Sequence, residues 1–225
     1  MARSTKAPVD QPLLPPRFLF RLAVPCRRLE PLPPPGKPPL GEEFRLPDFS
    51  PLDQSPTFAE VRMAWSPQGL ALSVRVEGKR RPPRCDESQL ESSDGLHVWI
   101  DTRDTRTVHR AHRFCHRFVF LQYGGGRRRD QPVAEHLLIH RAREHPRLVR
   151  SGELPVAAEK RVDGYVLHAV IRASALTGFD PQEQPRLGFT YLVHDSELGS
   201  QSLSCSPRLP MAEDPSLWAT LELTS

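Results

Sequence analysis

Three histidines and a cysteine lie close together in the middle of the chain. His109, His112, Cys115 and His116 have side chains that bind transition metals. Their spacing matches no zinc finger, and alternation along a strand would direct Cys115 and His116 to opposite faces. The three histidines are therefore candidate metal ligands without a recognisable site, and a metal-assisted hydrolase is one function to test.

Known catalytic motifs are absent from the sequence. It contains no Gly-x-Ser-x-Gly, no glycine-rich phosphate loop before a helix and no His-Glu-x-x-His. Asp94 with Asp101, or Asp101 with Asp104, has the composition of a glycosidase carboxylate pair, but neighbouring strands bring acids together without catalysis. We therefore expect a protein that is not an enzyme.

Aromatic side chains suggest a saccharide site, because flat rings stack on the apolar faces of sugars. The residues expected to contact such a ligand are Trp99, His97, Asp101, His168, Trp65 and Tyr191. Packing in the core is the common alternative for rings in strands, and it applies to Trp218 as well. His97 and His168 could also meet across adjacent strands as a metal-binding or pH-sensitive pair.

A central segment is rich in arginine and histidine. Residues 103–150 contain twelve arginines and six histidines against four acids. Such an excess could bind an anionic partner through bidentate contacts, although charge runs are more often solvated surface. The candidates for anion binding are Arg127, Arg128, Arg129, Arg110 and Arg113.

Hydrophobic alternation predicts the elements that position these residues. Apolar side chains recur at every second position in 70–76, 96–100, 114–121 and 165–171, the runs 58–65, 187–193 and 217–223 indicate further strands, and 137–139 is a shorter candidate. Turn residues at 66–69 and 163–164 predict two hairpins, and 173–176 suits one helical turn. The pattern predicts an all-β fold: a single antiparallel β-sandwich of about ten strands.

Prolines set the amino-terminal segment apart. We expect residues 1–16 to form a disordered tail, 18–24 an opening strand, and the Pro-rich 31–39 a surface excursion, so that the sandwich domain spans 17–225 with a Pro-rich extension. The stretch before Pro16 has no signal-peptide pattern, and no later run is apolar enough to span a bilayer. We therefore expect a soluble, cytoplasmic protein.

Charge and cysteine content add few constraints. The 225 residues carry a formal net charge of +4, which does not by itself require a polyanionic partner. Cys26, Cys85, Cys115 and Cys205 form no Cys-x-x-Cys pair, so free thiols are expected in a reducing compartment. Two disulfides of unknown connectivity are the alternative for an exported chain, and the oligomeric state stays open.

Four motifs, in this order and spacing, resemble the family 9 carbohydrate-binding modules, which are DOMON-like β-sandwiches. The motifs are AWSPQGLAL at 64–72, SDGLHVWID at 93–101, GYVLHAVI at 164–171 followed by LTG at 176–178, and LGFTYLVHD at 187–195, and the resemblance extends over roughly residues 58–223, most of the chain. The resemblance implies a β-sandwich that binds sugar ends between aromatic rings and often carries structural calcium.

The chain departs from this family at two acidic positions. His97 and His168 stand where the family has acids, whereas Asp94, Asp101 and Asp195 match family acids. Because Ca²⁺ prefers oxygen ligands, these two replacements weaken the calcium expectation. By resemblance the function is a non-catalytic binding module for a saccharide or related polar ligand. The alternative is an interaction domain for an anionic partner that binds residues 103–150.

Overall fold

The computed structural model describes residues 14–36, 40–149 and 152–225, and it is nearly all β. Short 3-10 turns lie at Pro16–Leu19, Glu42–Phe44, Ser50–Asp53, Leu90–Ser92, Ala173–Ala175 and Pro215–Leu217. The strands are β1 (Ala23–Arg28), β2 (Ala59–Ser66), β3 (Gly69–Glu77), β4 (Gly95–Asp101), β5 (Cys115–Gly125), β6 (Gln131–Leu137), β7 (Val156–Arg161), β8 (Gly164–Arg172), β9 (Arg186–Asp195), β10 (Gly199–Ser202) and β11 (Ala219–Thr224).

The strands form one continuous sheet that folds over on itself into two layers. Its order is β6-β5-β4-β9-β11-β1-β2-β3-β8-β7, and β10 pairs with β9. β5 and β6, at one end of this order, contact β7 and β8 at the other end, so the sheet is nearly closed. The predicted all-β, sandwich-like fold is confirmed. β1 joins the two layers and pairs in parallel with both β11 and β2, whereas the other described strand pairs are antiparallel.

Turn chemistry fixes the two predicted hairpins. β2 and β3 pair from Ala59 with Val76 to Ser66 with Gly69, and β7 and β8 pair up to Arg161 with Gly164. A Cβ atom at Gly164 would collide with the carbonyl oxygen of Val76 on the neighbouring strand, so only glycine fits there. These contacts place the β7–β8 hairpin beside the end of β3.

The core between the layers is built from alternating strand residues. Leu70, Leu72, Val74 and Val76 of β3 face Phe118 and Phe120 of β5 and their neighbours in one buried cluster. Burying such side chains stabilises the fold by about 1.5–3 kcal/mol each. The alternation predicted for β3, β4, β5 and β8 therefore identifies the core face correctly.

The opposite face of the β5-β4-β9 layer is covered too. Trp99, Cys115, Cys205, Met211 and Trp218 pack together there in a second buried cluster. Farther along the same face, Val119, Leu121 and Val133 pack against Cys85 and Leu90. Two irregular segments, around 83–92 and 205–218, thus cover a face that alternation alone leaves open to solvent.

The amino-terminal segment differs from the prediction. Residues 16–19 form a 3-10 turn rather than a strand, and β1 begins only at Ala23, so the predicted strand at 18–24 is wrong in its position. Within this turn Arg17 is fully buried, forms an ion pair with Asp53 and donates to the carbonyl oxygen of Ser202. That geometry turns Phe18 and Phe20 outward.

Parts of the predicted tail and proline segment, residues 1–13 and 37–39, lie outside the described residues. Leu32, at the start of the proline segment, packs with Leu40 and Phe44 over Ala64 and Ala71. The four cysteines are free thiols in the structure. None of the helical turns in the described part of the chain has the length and apolarity that a membrane span requires.

Candidate functional site

A groove rich in basic side chains lies at one end of the sandwich. It has a volume of about 650 Å³ and forms where the segment after β3, the β5–β6 loop and the β7–β8 hairpin meet. We call it the basic groove. Its lining residues are Lys79, Arg80, Arg81, Pro82, Pro83, Gln122, Tyr123, Arg129, Asp130, Ala158, Lys160, Arg161, Val162 and Gly164.

The positive charge of the basic groove is only partly neutralised. Arg161 pairs with Glu159 at 2.7 Å, and Arg129 lies 3.7 Å from Asp86. Arg80, Arg81 and Lys160 are exposed and form no ion pair within the described residues. These exposed cations without acidic partners can form charge-assisted hydrogen bonds with an anionic ligand.

A buried charge cluster lies directly beneath the groove. The Nζ atom of Lys79 is 2.5 Å from Asp195, 3.5 Å from Asp94 and 3.8 Å from Glu197. Lys79, Asp94 and Asp195 are almost completely buried. We call these four residues the Lys79 cluster. One ammonium group shared among three carboxylates leaves the cluster formally negative, and backbone N–H groups donate to the acids as well.

The Lys79 cluster shapes the backbone of the groove. The Glu197 carboxylate accepts hydrogen bonds from the backbone N–H groups of Arg80 and Arg81 at 3.0–3.2 Å. Asp94 accepts from the N–H of Arg84 at 3.0 Å, and the Tyr123 hydroxyl donates to the carbonyl oxygen of Pro83. The cationic side chains therefore project from a backbone that is held at several points.

The Lys79 cluster contains two of the acids that a calcium site of the family type would use. Asp94 and Asp195, which match family acids, converge here, but a cation of the chain itself, the Lys79 ammonium, lies between them. Asp101, the third matching acid, ends β4 roughly 20 Å along the strand from Asp94. His97 and His168 supply no oxygen ligand. The residues present do not fit a calcium ion.

The six residues predicted to contact a saccharide are buried and scattered. Trp99 is 1% exposed, and its ring stacks on that of His97 with 5.9 Å between the ring centroids. The Arg117 guanidinium lies over the Trp99 ring. Tyr191 points into the core on the opposite face of the same layer. These two rings are buried in the structure, so they do not form an open ligand surface there.

The remaining members of that set lie elsewhere. Trp65 is in β2, where its indole N–H donates to the carbonyl oxygen of Thr224 at 2.8 Å. Asp101 accepts hydrogen bonds from the N–H groups of Arg103 and Thr105. His168 lies in the other layer from His97, on β8, 3.8 Å from Glu159, so the two histidines do not meet.

The histidines predicted as metal ligands also separate. His109 is exposed and lies 3.1 Å from Asp214. His116 is buried on the core side, where its Nε2 atom accepts the N–H of Thr177 at 3.1 Å and its ring stacks on Phe118. His112 is near Cys115 instead. Cys115 and His116 lie on opposite faces of the strand, as predicted. The three histidines do not form one site.

The arginines predicted to bind anions fall into two groups. Arg127, Arg128 and Arg129 lie in the β5–β6 loop at the basic groove, and all three are exposed. Arg110 and Arg113 precede β5 and lie at its other end, roughly 30 Å away along the strand. Segment 103–150 is therefore not one basic surface.

Sequence reasoning missed most of the basic groove. Lys79, Arg80, Arg81, Lys160 and Arg161 were not among the predicted contacts, although the run Gly-Lys-Arg-Arg-Pro-Pro-Arg at 78–84 directly follows a strand. A dense cationic run at a strand end was the available signal. Its convergence with residues 122–130 and 158–164 depends on strand order, which one sequence does not reveal.

Comparison with known proteins identifies the fold. No protein-family model matches the sequence, and no curated protein shows significant sequence similarity to it. Among solved structures, a family 9 carbohydrate-binding module from Caldicellulosiruptor kristjanssonii, in complex with cellotriose, superposes with a TM-score of 0.58 at 12% identity, over 90% of this chain and 94% of that one. The fold is that of the family 9 carbohydrate-binding modules.

Two further solved structures have the same fold. The Caldicellulosiruptor module in complex with glucose gives a TM-score of 0.58 at 12% identity, over 90% of this chain and 96% of that one. A candidate carbohydrate-binding protein from Bacteroides uniformis gives 0.56 at 13% identity, over 90% and 99%. At such identities the family 9 likeness establishes the fold and leaves the site to be argued from the residues.

Proposed function

We propose that this chain is a non-catalytic binding domain for a saccharide that carries acidic groups, and that the basic groove holds this ligand. The observation that carries the proposal is the convergence of Arg80, Arg81, Arg129, Lys160 and Arg161 on one groove of about 650 Å³. Arginine binds carboxylates and sulfates through paired hydrogen bonds, so uronate or sulfated sugars match this lining.

The scaffold and the rest of the lining support a saccharide. Solved structures of the same fold hold cellotriose and glucose. The groove also contains Tyr123, Pro82 and Pro83, whose rings provide apolar surface for the face of a sugar. A polar ligand with alternating flat and charged parts suits this combination.

The acids at the groove favour binding over hydrolysis. Glycoside hydrolysis ordinarily needs two carboxylates facing the scissile bond. Asp130 is the one acid among the residues that line the groove. Asp94 and Asp195 lie below it and interact with the Lys79 ammonium.

Calorimetric titration at two salt concentrations tests the proposal. The full chain is titrated with oligogalacturonate, with a sulfated oligosaccharide and with neutral cellotriose, in about 50 mM and about 500 mM NaCl. We expect the acidic ligands to bind and to lose affinity strongly in high salt, because exposed charges are screened within about 10 Å at 0.1 M salt. Cellotriose should bind more weakly and change little with salt.

Two outcomes contradict the proposal. The first is that cellotriose binds independently of salt while neither acidic ligand binds. The chain would then be a saccharide-binding domain in which the charge of the groove has no role. Tighter binding of single-stranded nucleic acid than of any saccharide would favour a general polyanion surface, which is the alternative function.

The groove arginines are tested by a charge-matched pair of variants. Arg80→Ala with Arg81→Ala is expected to weaken binding of the acidic ligand by at least about tenfold, since one charge-assisted hydrogen bond contributes about 1.5–3 kcal/mol. Arg110→Ala with Arg113→Ala removes the same charge at the opposite end and should change affinity by less than about threefold. Equal losses in both double variants would show that only net charge matters.

Tyr123 tests the stacking contribution. Tyr123→Ala is expected to weaken binding by about tenfold, because aromatic contacts with a ligand contribute on the order of 1 kcal/mol and the variant also releases Pro83. Tyr123→Phe keeps the ring and loses only the hydroxyl, so it should retain most of the affinity. A Phe variant as weak as the Ala variant would assign the effect to the hydrogen bond and not to the ring.

A further inference from the structure

Three metal-ligating side chains converge at the end of the sandwich opposite the basic groove. Asp101 ends β4, Cys115 begins β5, and His112 lies in the loop between them. The His112 Nε2 atom is 3.9 Å from an Asp101 carboxylate oxygen and 3.9 Å from the Cys115 Sγ atom. One ligand atom of each residue lies within 4.8 Å of the other two.

We propose that Asp101, His112 and Cys115 bind a divalent transition-metal ion of the zinc type. Zinc bonds of about 2.3 Å to sulfur and about 2.0–2.1 Å to nitrogen or oxygen, at tetrahedral angles, separate ligand atoms by about 3.5 Å. The two sides that meet at the His112 Nε2 atom, 3.9 Å each, are about 0.4 Å longer than this separation, and the side between Asp101 and Cys115 lies within 4.8 Å. A movement of the loop that carries His112 shortens the two sides that meet at His112, and the third side requires a small adjustment of the Cys115 side chain.

The chemistry of the donors selects the class of ion. A thiolate, an imidazole and a carboxylate form a mixed sulfur, nitrogen and oxygen set, which favours Zn²⁺, Co²⁺ or Ni²⁺ over Ca²⁺ and Mg²⁺. Cys115 binds as the thiolate and releases its proton to solvent. Two anionic ligands then neutralise the charge of a divalent ion in a largely buried site.

The surroundings hold two of the ligands firmly. One Asp101 oxygen accepts the N–H of Arg103 at 3.0 Å and the other accepts the N–H of Thr105 at 2.7 Å, so the carboxylate has a fixed orientation. Such hydrogen bonds to a ligand raise metal affinity. The Cys115 thiol is buried beside His112 at the edge of the second buried cluster.

His112 lies between the proposed site and solvent, and metal binding would remove one of its hydrogen bonds. Its side chain is 20% exposed, so the site opens to solvent on this side, where water can complete the coordination. The His112 Nδ1 atom is 3.3 Å from the N–H of Phe114. Binding through Nε2 puts the ring proton on Nδ1 and gives up this long hydrogen bond.

Cobalt absorption tests the proposal on the full chain purified without a histidine tag. Co²⁺ bound to a thiolate gives a sulfur-to-metal charge-transfer band, which reports Cys115 directly and does not depend on ligand binding in the groove. We expect this band at one equivalent of Co²⁺, displacement by Zn²⁺, and a rise in the melting temperature with Zn²⁺ that EDTA reverses.

Variants separate the site from adventitious binding. His112→Ala is expected to weaken Co²⁺ binding by at least about tenfold, and Cys115→Ala to abolish the charge-transfer band. The matched control is His109→Ala, which removes an exposed histidine three residues away and should leave band and affinity unchanged. Because Cys115 is buried, circular dichroism must first show that its variant is folded, and the His112 variant keeps the test decisive if it is not.

The proposal is overturned if the unsubstituted chain gives no charge-transfer band with excess Co²⁺. It is also overturned if the band survives in His112→Ala with unchanged affinity. A zinc-dependent melting temperature that disappears only in His109→Ala would indicate a surface site at His109 and would equally exclude the proposed one.

Discussion

Replacing Lys79 by methionine is expected to lower the free energy of unfolding by about 3–5 kcal/mol. Methionine retains most of the volume and removes the ammonium group. Asp94 and Asp195, both about 1% exposed, would then lie close together without the cation that separates them. Chemical denaturation at neutral pH measures the loss.

Two comparison variants make the Lys79 prediction specific. Lys160→Met removes an exposed lysine from the same end of the sandwich and should change the free energy of unfolding by less than about 0.5 kcal/mol. Asp195→Asn in the Lys79→Met background removes one buried charge and should recover part of the stability. If Lys79→Met unfolds no more easily than Lys160→Met, the Lys79 cluster does not stabilise the fold.

The Lys79 cluster also predicts how the chain responds to calcium. Three carboxylates surround the Lys79 Nζ atom, and carboxylate oxygens are what Ca²⁺ binds. We expect millimolar Ca²⁺ to raise the melting temperature of Lys79→Ala and to leave that of the unsubstituted chain unchanged. A calcium response of the unsubstituted chain would show that Lys79 does not take the place of the ion.

Local patterns in the sequence were sufficient for the scaffold. Alternation in 70–76, 96–100 and 114–121 depends only on which face a strand buries, and the turns at 66–69 and 163–164 depend on a few adjacent residues. β3, β4, β5 and both hairpins follow from them. The short strand predicted at 137–139 is wrong in its position, because β6 spans Gln131–Leu137, and β10 was missed, because Gly199–Ser202 is short and polar. β7 was implied only as the first arm of the hairpin at 163–164, because Val156–Arg161 ends in exposed charges.

The candidate site could not be read in the same way, because covering segments decide which side chains reach solvent. Trp99 alternates with core residues and so was expected on an open face. Segments near 83–92 and 205–218 pack on that face and bury it. Arg17, a charged residue in an apolar run, is buried through Asp53, a partner 36 residues away. Such contacts depend on tertiary structure that no local pattern encodes.

The two buried charged sites lie at opposite ends of β4. Asp94 precedes the strand and interacts with Lys79, whereas Asp101 ends the strand and faces His112. Between them the strand is buried on both faces. Polar chemistry is thereby confined to the strand ends, where loops can supply partners, and the basic groove and the proposed metal site are independent of each other.

Lowering the pH is expected to destabilise the chain steeply below about pH 6.5, because two histidines are buried in the neutral form. Burial, then the nearby Arg117 and His194, lowers the pKa of His97 to about 3. Burial and then the nearby His136 lower the pKa of His116 to about 3. In the unfolded chain both imidazoles take up a proton near their usual pKa of about 6.5.

The sign and size of the effect follow from proton uptake by the unfolded chain. Above about pH 6.5 neither state is protonated at these residues, and their contribution to stability is complete. As the pH falls toward 3, each histidine lowers the free energy of unfolding by about 1.4 kcal/mol per pH unit. Denaturant titrations between pH 6 and 4.5 should therefore show a slope of about 2.7 kcal/mol per pH unit from the pair.

His97→Phe isolates one half of this slope. Within residues 14–36, 40–149 and 152–225, neither ring nitrogen of His97 has a hydrogen-bond partner, and the ring stacks on Trp99, so phenylalanine keeps the packing and removes the titrating group. The slope should fall by about 1.4 kcal/mol per pH unit, whereas His109→Asn, at an exposed histidine, should leave it unchanged. Because slopes are compared, a shift in overall stability caused by the larger ring does not affect the result. An unchanged slope in His97→Phe would show that His97 is already protonated in the folded chain or is equally buried in the unfolded one.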